Sequence, residues 1–214
     1  MSNIAHDYIE DYIRSLIPER KDHIKLMEDY AKENSIPIVH PEVAQFLKVL
    51  IKSHKIKKII EVGTAIGYSS SVMAEAAGEG SQIVTIERDD NMYRLALENI
   101  KFCGFEDRIK VIKGDALEVL EGLEGSFDMV FLDAAKGHYD HFLTHCIRLL
   151  RQGGLLISDN VLFRGMIATN KLLIRRKITI VKRMRKYLEH ISNMKELETV
   201  VLPVGDGIAM SCKL

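Results

Sequence analysis

From residue 55 onward, short apolar runs alternate with amphipathic segments, and few architectures accept that rhythm. Strand candidates lie at 58–62, 82–87, 109–113, 127–132 and 155–158, with helix candidates near 68–77, 90–103, 115–123 and 138–150. Strand–helix alternation of this kind predicts an α/β fold, a parallel sheet covered by helices on both faces. Asp115 and Glu118 suit a helix start, and Gly104 a helix stop. The chain ends differently. Two strand-like runs, 198–203 and 208–213, flank Val204-Gly205-Asp206-Gly207, a connection short enough for a hairpin. The seventh and last strand is therefore expected to run antiparallel in an otherwise parallel sheet.

The first 54 residues read as helical. Tyr8, Ile9, Tyr12, Ile13 and Leu16 recur at helical spacing up to Pro18. A second helix is expected over 20–33. Pro41 opens a third, with Val43, Phe46, Leu47 and Leu50 forming its apolar stripe. A length of 214 residues with 47% hydrophobic content suits one folded domain, a helical segment over 1–54 and an α/β core over 55–214. No apolar run reaches the roughly 18 residues of a membrane span, and the acidic N-terminus lacks signal-peptide order. Cys103, Cys146 and Cys212 are isolated and read as reduced, mostly buried thiols of a cytoplasmic protein.

Chemistry concentrates where strands end. Glu61-Val62-Gly63-Thr64-Ala65-Ile66-Gly67-Tyr68-Ser69-Ser70 follows the first strand and opens a helix. Its glycines allow either a plain tight turn or the close approach of a ligand. Glu87 ends the second strand, 24 residues after Gly63, where an acid can accept from both ribose hydroxyls of a nucleoside. The G-x-G-x-x-G spacing that sets a helix N-terminus on a pyrophosphate is missing. S-adenosylmethionine, a nucleoside without phosphate, therefore fits better than NAD. Gly114-Asp115-Ala116 follows the third strand and would border the adenine.

Asp133 and Lys136 follow the fourth strand, and Asp159-Asn160 the fifth. Ligands gather at the carboxyl ends of strands in open α/β sheets, so these residues should converge. Asp133, Asp159 and Asn160 offer hard oxygen donors, a set suited to Mg²⁺, Ca²⁺ or Mn²⁺ rather than zinc. An Asx turn and a helix cap are the structural alternatives. His138, Tyr139 and His141 are expected at a surface loop and helix start, and His40 and His54 in structural or exposed positions.

EVGTAIGYSS, Glu87, GDA, FLDAAKGHY, SDNVL and LPVGDGIAMS, in that order over 36–214, resemble the catechol and caffeoyl-CoA type O-methyltransferase family. IPIVHPEVAQFL resembles its bacterial branch that methylates 5-hydroxyuridine in tRNA. The resemblance implies a Rossmann-like methyltransferase fold, a homodimer, and a cofactor pocket drawn from Val39, Glu61, Gly63, Tyr68, Ser69, Glu87, Asp115, Ala116 and Asp133. It also implies metal ligation by Asp133, Asp159 and Asn160, with Lys136 beside the acceptor hydroxyl as general base or orienting cation.

The acceptor question turns on charge. Lys+Arg and Asp+Glu are both 30, yet no acid lies between Asn160 and Leu188, where nine basic residues stand. Ile174, Ile178, Val181, Leu188 and Ile191 keep a helical apolar stripe, and Arg175, Arg176, Lys182, Arg183 and Lys186 are expected on the opposite face of the helix, with Arg164 just before it. Such a ridge suits a polyanion, and tRNA is the partner it favours. The expected reaction is methylation of 5-hydroxyuridine in the anticodon loop to 5-methoxyuridine. A coenzyme A thioester or a small catechol is the alternative acceptor, and a non-catalytic nucleotide- or RNA-binding module is a third possibility.

Overall fold

The computed structural model describes residues 4–20, 22–134 and 137–214. Seven strands form one sheet: β1 (Lys58–Val62), β2 (Gln82–Glu87), β3 (Ile109–Lys113), β4 (Phe127–Leu132), β5 (Leu150–Ser158), β6 (Leu197–Leu202) and β7 (Ile208–Lys213), in the spatial order β3-β2-β1-β4-β5-β7-β6. β1 to β5 pair in parallel, while β7 is antiparallel to both β5 and β6. Six strands thus share one direction and the last opposes them, as the closing hairpin pattern predicted. The hairpin pairs Leu202 with Ile208 across a five-residue connection.

Period-two alternation feeds two cores. Ile59, Met129, Phe131, Leu155 and Ile157 face α3 (Pro41–His54), α4 (Tyr68–Ala77) and α5 (Asp90–Phe102). Ile60, Val62, Val130, Leu132 and Leu156 face α7 (Tyr139–Leu149) and α8 (Ile178–Asn193), with α6 (Ala116–Gly122) adding Leu120. Strands buried on both faces explain the continuous apolar runs. Local signals set the helix ends. Pro41 occupies the first turn of α3, and Lys55 ends that helix in the left-handed region at φ 53°. Asp89 caps α5 by accepting from Asn91 N and Met92 N, and Asp115 caps α6 by accepting from Leu117 N at 2.9 Å.

Three expectations change, and one helix forms without burial. β5 begins at Leu150, not at 155, because Leu150 pairs with Phe127 across a register shift. The helix α1 (Asp7–Ser15) forms as expected but buries none of its residues, and Tyr8 is 69% exposed. Cys146 is fully buried, its thiol pushed up to about 12 by desolvation, whereas Cys103 and Cys212 are half-buried. The basic ridge is broken: Arg175–Lys177 forms a separate 3-10 turn and α8 starts after it. Three successive cations at the positive end of a helix dipole disfavour an earlier start.

At the amino edge of the sheet, the Asp128 carboxylate of β4 accepts from Lys57 N and Lys58 N at 2.8 Å each and pairs with Arg151 of β5 at 2.6 Å. Among the described residues, no helix is long and apolar enough to cross a membrane.

Candidate active site

The carboxyl ends of the parallel strands are bonded to one another up to the last residue. Gly63 N donates to Ile86 O at 3.1 Å, Asp133 N to Val62 O at 2.9 Å, Asp159 N to Leu132 O at 2.9 Å and Gly114 N to Glu87 O at 3.0 Å. The residues immediately after the strands are therefore held as firmly as the strands. Above them opens a cavity of about 1020 Å³.

The glycine turn and Glu87 form one side. Glu87 Oε2 accepts from Ala65 N at 2.9 Å, while Oε1 accepts from Arg88 N and Asp89 N at 2.9 and 2.8 Å. A carboxylate held in this way locks the turn and still faces the cavity. Gly63 has a reason beyond ligand approach: a Cβ there would lie 2.2 Å from the carbonyl oxygen of Asp133, and its φ is +104°. Asn99 of α5 donates to Ile66 O at 2.9 Å and holds the far end of the turn. Val39, Gly63, Tyr68, Ser69, Glu87, Asp115, Ala116 and Asp133 all line the cavity. The Tyr68 hydroxyl, however, is engaged with Glu28 at 2.5 Å.

Glu61 departs from its expected place. It lies beneath the cavity, fully buried, and is not part of the lining. It shares the β1 face of Ile59, so alternation carries it into the core. Its Oε1 accepts from Ser69 Oγ at 2.5 Å and its Oε2 from Thr85 Oγ1 at 2.6 Å, and Thr64 extends the chain. Desolvation raises this carboxyl to about 8 against those hydroxyl bonds, so it is largely protonated at neutral pH. Through Ser69, which does line the cavity, it still supports that wall.

Asp133, Asp159 and Asn160 do converge on the lining. Asp159 is fully buried, and Asn160 sits in the left-handed region at φ 57°. Tyr139 lies below them, also fully buried, with its hydroxyl 3.1 Å from both Leu132 O and Asp159 O. Burial, then Asp133, then Asp159 push its phenol well above the ordinary range, which keeps it a proton donor. Among the described residues, no group of three or more His, Cys, Asp or Glu side chains is arranged to hold a metal. The candidate set is two carboxylates and one amide, an all-oxygen donor set that fits a hard divalent cation completing its shell with water or substrate. Lys136 lies outside the described residues.

The remaining wall comes from 160–177. Phe163, Arg164, Met166, Ile174, Arg176 and Lys177 line it. Lys177 Nζ stands 5.7 Å from the Phe163 ring centroid. Arg175 belongs to the 3-10 turn but not to the lining. On α8, Lys182 is exposed, Arg183 Nη1 reaches Gly137 O at 3.4 Å and Lys186 pairs with Asp140 at 3.2 Å. Arg185 folds back onto Ile167 O at 2.9 Å.

Sequence reasoning missed several neighbours. His138 and His141 are exposed at the loop and helix start where they were expected, but they also line the cavity with Phe142, as does His40. The two histidine rings lie 5.5 Å apart. Their i, i+3 spacing at the start of α7 put them on one face, but nothing local showed which way that face points. Arg14 of α1 also reaches the lining, held by Glu42 through bonds of 2.9 and 3.0 Å.

Known proteins share this family and fold. The model of the O-methyltransferase family matches residues 21–214. A caffeoyl-CoA O-methyltransferase of Stellaria longipes is 29% identical over 219 residues, covering 97% of this chain and 89% of that protein. A catechol O-methyltransferase of Niastella koreensis is 31% identical over 173 residues, covering 78% of each. A crystal structure from Staphylococcus aureus, named provisionally as a caffeoyl-CoA O-methyltransferase, superposes with a TM-score of 0.91 at 33% identity, over 97% of this chain and 100% of that one. With its strand order, its strand-end carboxylates and a family match over nearly its whole length, the chain belongs to the O-methyltransferase family.

Proposed function

We propose that the chain transfers the methyl group of S-adenosylmethionine, with the aid of a divalent cation, to the 5-hydroxyl of uridine in a tRNA anticodon loop, giving 5-methoxyuridine. When bound, the sulfonium supplies the methyl group, and a cation such as Mg²⁺ lowers the pKa of the acceptor hydroxyl. The chain's own residues provide the rest. Glu87 offers a carboxylate to the ribose hydroxyls, Gly114 to Ala116 border the base, and Ser69 stands at the start of α4. Asp133, Asp159 and Asn160 would hold the cation. Lys136 would orient the acceptor or take its proton. Holding the acceptor oxygen in line with the methyl group is itself a large part of the rate enhancement.

The observation that carries the acceptor reading is the wall of Arg164, Arg176 and Lys177 beside Asp133 and Asp159, drawn from a stretch with no acid between Asn160 and Leu188. Nucleic-acid phosphates suit such a wall, and an unpaired loop base can be splayed into a pocket of this size. Lys182 and Arg183 would extend the footprint along α8. The expected result is methyl label in tRNA carrying 5-hydroxyuridine when enzyme, labelled cofactor and Mg²⁺ are supplied. Turnover of catechol or caffeoyl-CoA with none in tRNA refutes it. Reversing the charge of Arg164, Arg176 and Arg183 should weaken tRNA binding at least tenfold and flatten its salt dependence. The relatives named for caffeoyl-CoA and catechol favour a small phenol as the second reading. For the homodimer, the exposed apolar side of α1 is the surface we assign, and sedimentation velocity tests it.

A further inference from the structure

The connection between β6 and β7 does more than close a hairpin. Its Val204-Gly205-Asp206-Gly207 run is wedged between the start of α3 and the segment that follows Asn160. On one side, a Cβ at Gly205 would stand 2.7 Å from Val43 Cγ2 and 3.6 Å from His40 Cβ, against the start of α3. On the other, a Cβ at Gly207 would stand 2.4 Å from Leu162 Cγ. Both glycines have positive φ, so the close approaches and the backbone path each call for glycine. The residue between them, Asp206, is buried and lines the cavity.

What this connection holds is the segment that follows Asp159 and Asn160. Val161 N donates to Gly207 O at 2.9 Å, Leu162 N donates to Asp206 O at 3.0 Å, and Arg164 N donates to the Asp206 carboxylate. The segment needs that hold. Asn160, Phe163 and Arg164 all have φ between 44° and 57°, a left-handed conformation that non-glycine residues, Phe and Arg above all, rarely adopt. Three strained residues in five persist only when their surroundings impose them. Arg164 of this segment belongs to the wall assigned above to the acceptor, and Phe163 and Met166 line the cavity with it.

We propose that Asp206 is a positioning residue for the methyl acceptor, fixing the 160–166 wall through the Arg164 amide. The assignment of that wall to the acceptor rests on the proposed function; the clamp itself rests on the hydrogen bonds. Asp206→Ala should raise the KM for tRNA carrying 5-hydroxyuridine at least tenfold. It should also speed amide exchange of the 160–166 peptide at least tenfold, while the Kd for S-adenosylhomocysteine stays within twofold. Asp206→Asn keeps an acceptor oxygen for Arg164 N and should return KM and exchange to within about threefold of wild type. Asp206→Glu keeps the charge but displaces the oxygens by a methylene, and should behave like alanine. It also serves if Asp206→Ala does not fold.

Unchanged exchange in Asp206→Ala and Asp206→Glu overturns the proposal. So does a parallel loss of S-adenosylhomocysteine affinity, which would mark a general structural role. If wild type methylates catechol or caffeoyl-CoA instead of tRNA, the same KM comparison is made on that phenol. The acceptor reading then fails while Asp206 is still tested. If wild type turns over none of the three, exchange and S-adenosylhomocysteine affinity decide alone.

Discussion

Replacing Glu61 by Gln should make the protein progressively more stable than wild type as pH rises. Glu61 is fully buried and its carboxyl is raised from 4.5 to about 8, first by desolvation. The folded state therefore holds this proton more tightly than the unfolded chain. Below pH 4.5 the group is neutral in both states and costs nothing. Between 4.5 and about 8 the unfolded chain ionises and the folded one does not, so wild-type stability falls by about 1.4 kcal/mol per pH unit. Across pH 5.5 to 8 the loss is on the order of 3 kcal/mol. Glutamine retains a donor and an acceptor for Ser69 and Thr85 and has no proton to lose. Urea unfolding of both proteins at several pH values, without cofactor, gives the difference and cancels every other titrating group. A Glu61→Gln advantage over wild type that widens with pH supports the reasoning. Parallel stability curves refute it, since they would mean Glu61 ionises in the fold as freely as in the unfolded chain.

Further outcomes follow from the site. Asp159→Ala should lower kcat by about a thousandfold while S-adenosylhomocysteine still binds, because the lost carboxylate belongs to the proposed cation site; isothermal titration and a methyl-transfer assay separate the two effects. Chelation by EDTA should abolish turnover, and added Mg²⁺ should restore it. Glu87→Ala should weaken S-adenosylhomocysteine binding roughly 10–100-fold, since charged hydrogen bonds contribute about 1.5–3 kcal/mol, read by the same titration. Gly63→Ala should destabilise the fold by about 3 kcal/mol or more, because backbone stands 2.2 Å from the new Cβ; thermal unfolding checks it.

Much of this was legible in one dimension. Apolar runs of strand length gave β1 to β4, and a short Gly-Asp-Gly connection gave the direction of β7. The rule that α/β sheets bind ligands at strand carboxyl ends brought Asp133 and Asp159 to one edge. What stayed hidden is tertiary. The Arg151-Gln152-Gly153-Gly154 stretch has no strand character, and only Leu150 pairing with Phe127 makes it part of β5. Tyr139 reads as a loop residue until its phenol is seen under two strand ends. Glu61 is instructive because a signal did exist: its place two residues after Ile59 puts it on a core face. The motif around it suggested a ligand contact instead. The basic stretch was visible as composition, but its division into cavity wall, 3-10 turn and helix was not.

The Asp128 pairing with Lys57, Lys58 and Arg151 has a consequence for errors in folding. Side chains alternate along a strand, so a one-residue slip of β4 against β5 would put Leu132 where Asp133 belongs and turn the carboxylate to the other face. Apolar runs such as Met129–Leu132 resist such slips only weakly, because almost any register buries something greasy. Asp128 does discriminate, since its oxygens meet the Lys57 and Lys58 amides and the Arg151 guanidinium in this alignment. An ion pair at the amino edge, roughly 16 Å along the strand from Asp133, thus acts as a gauge mark for the strand-end aspartates.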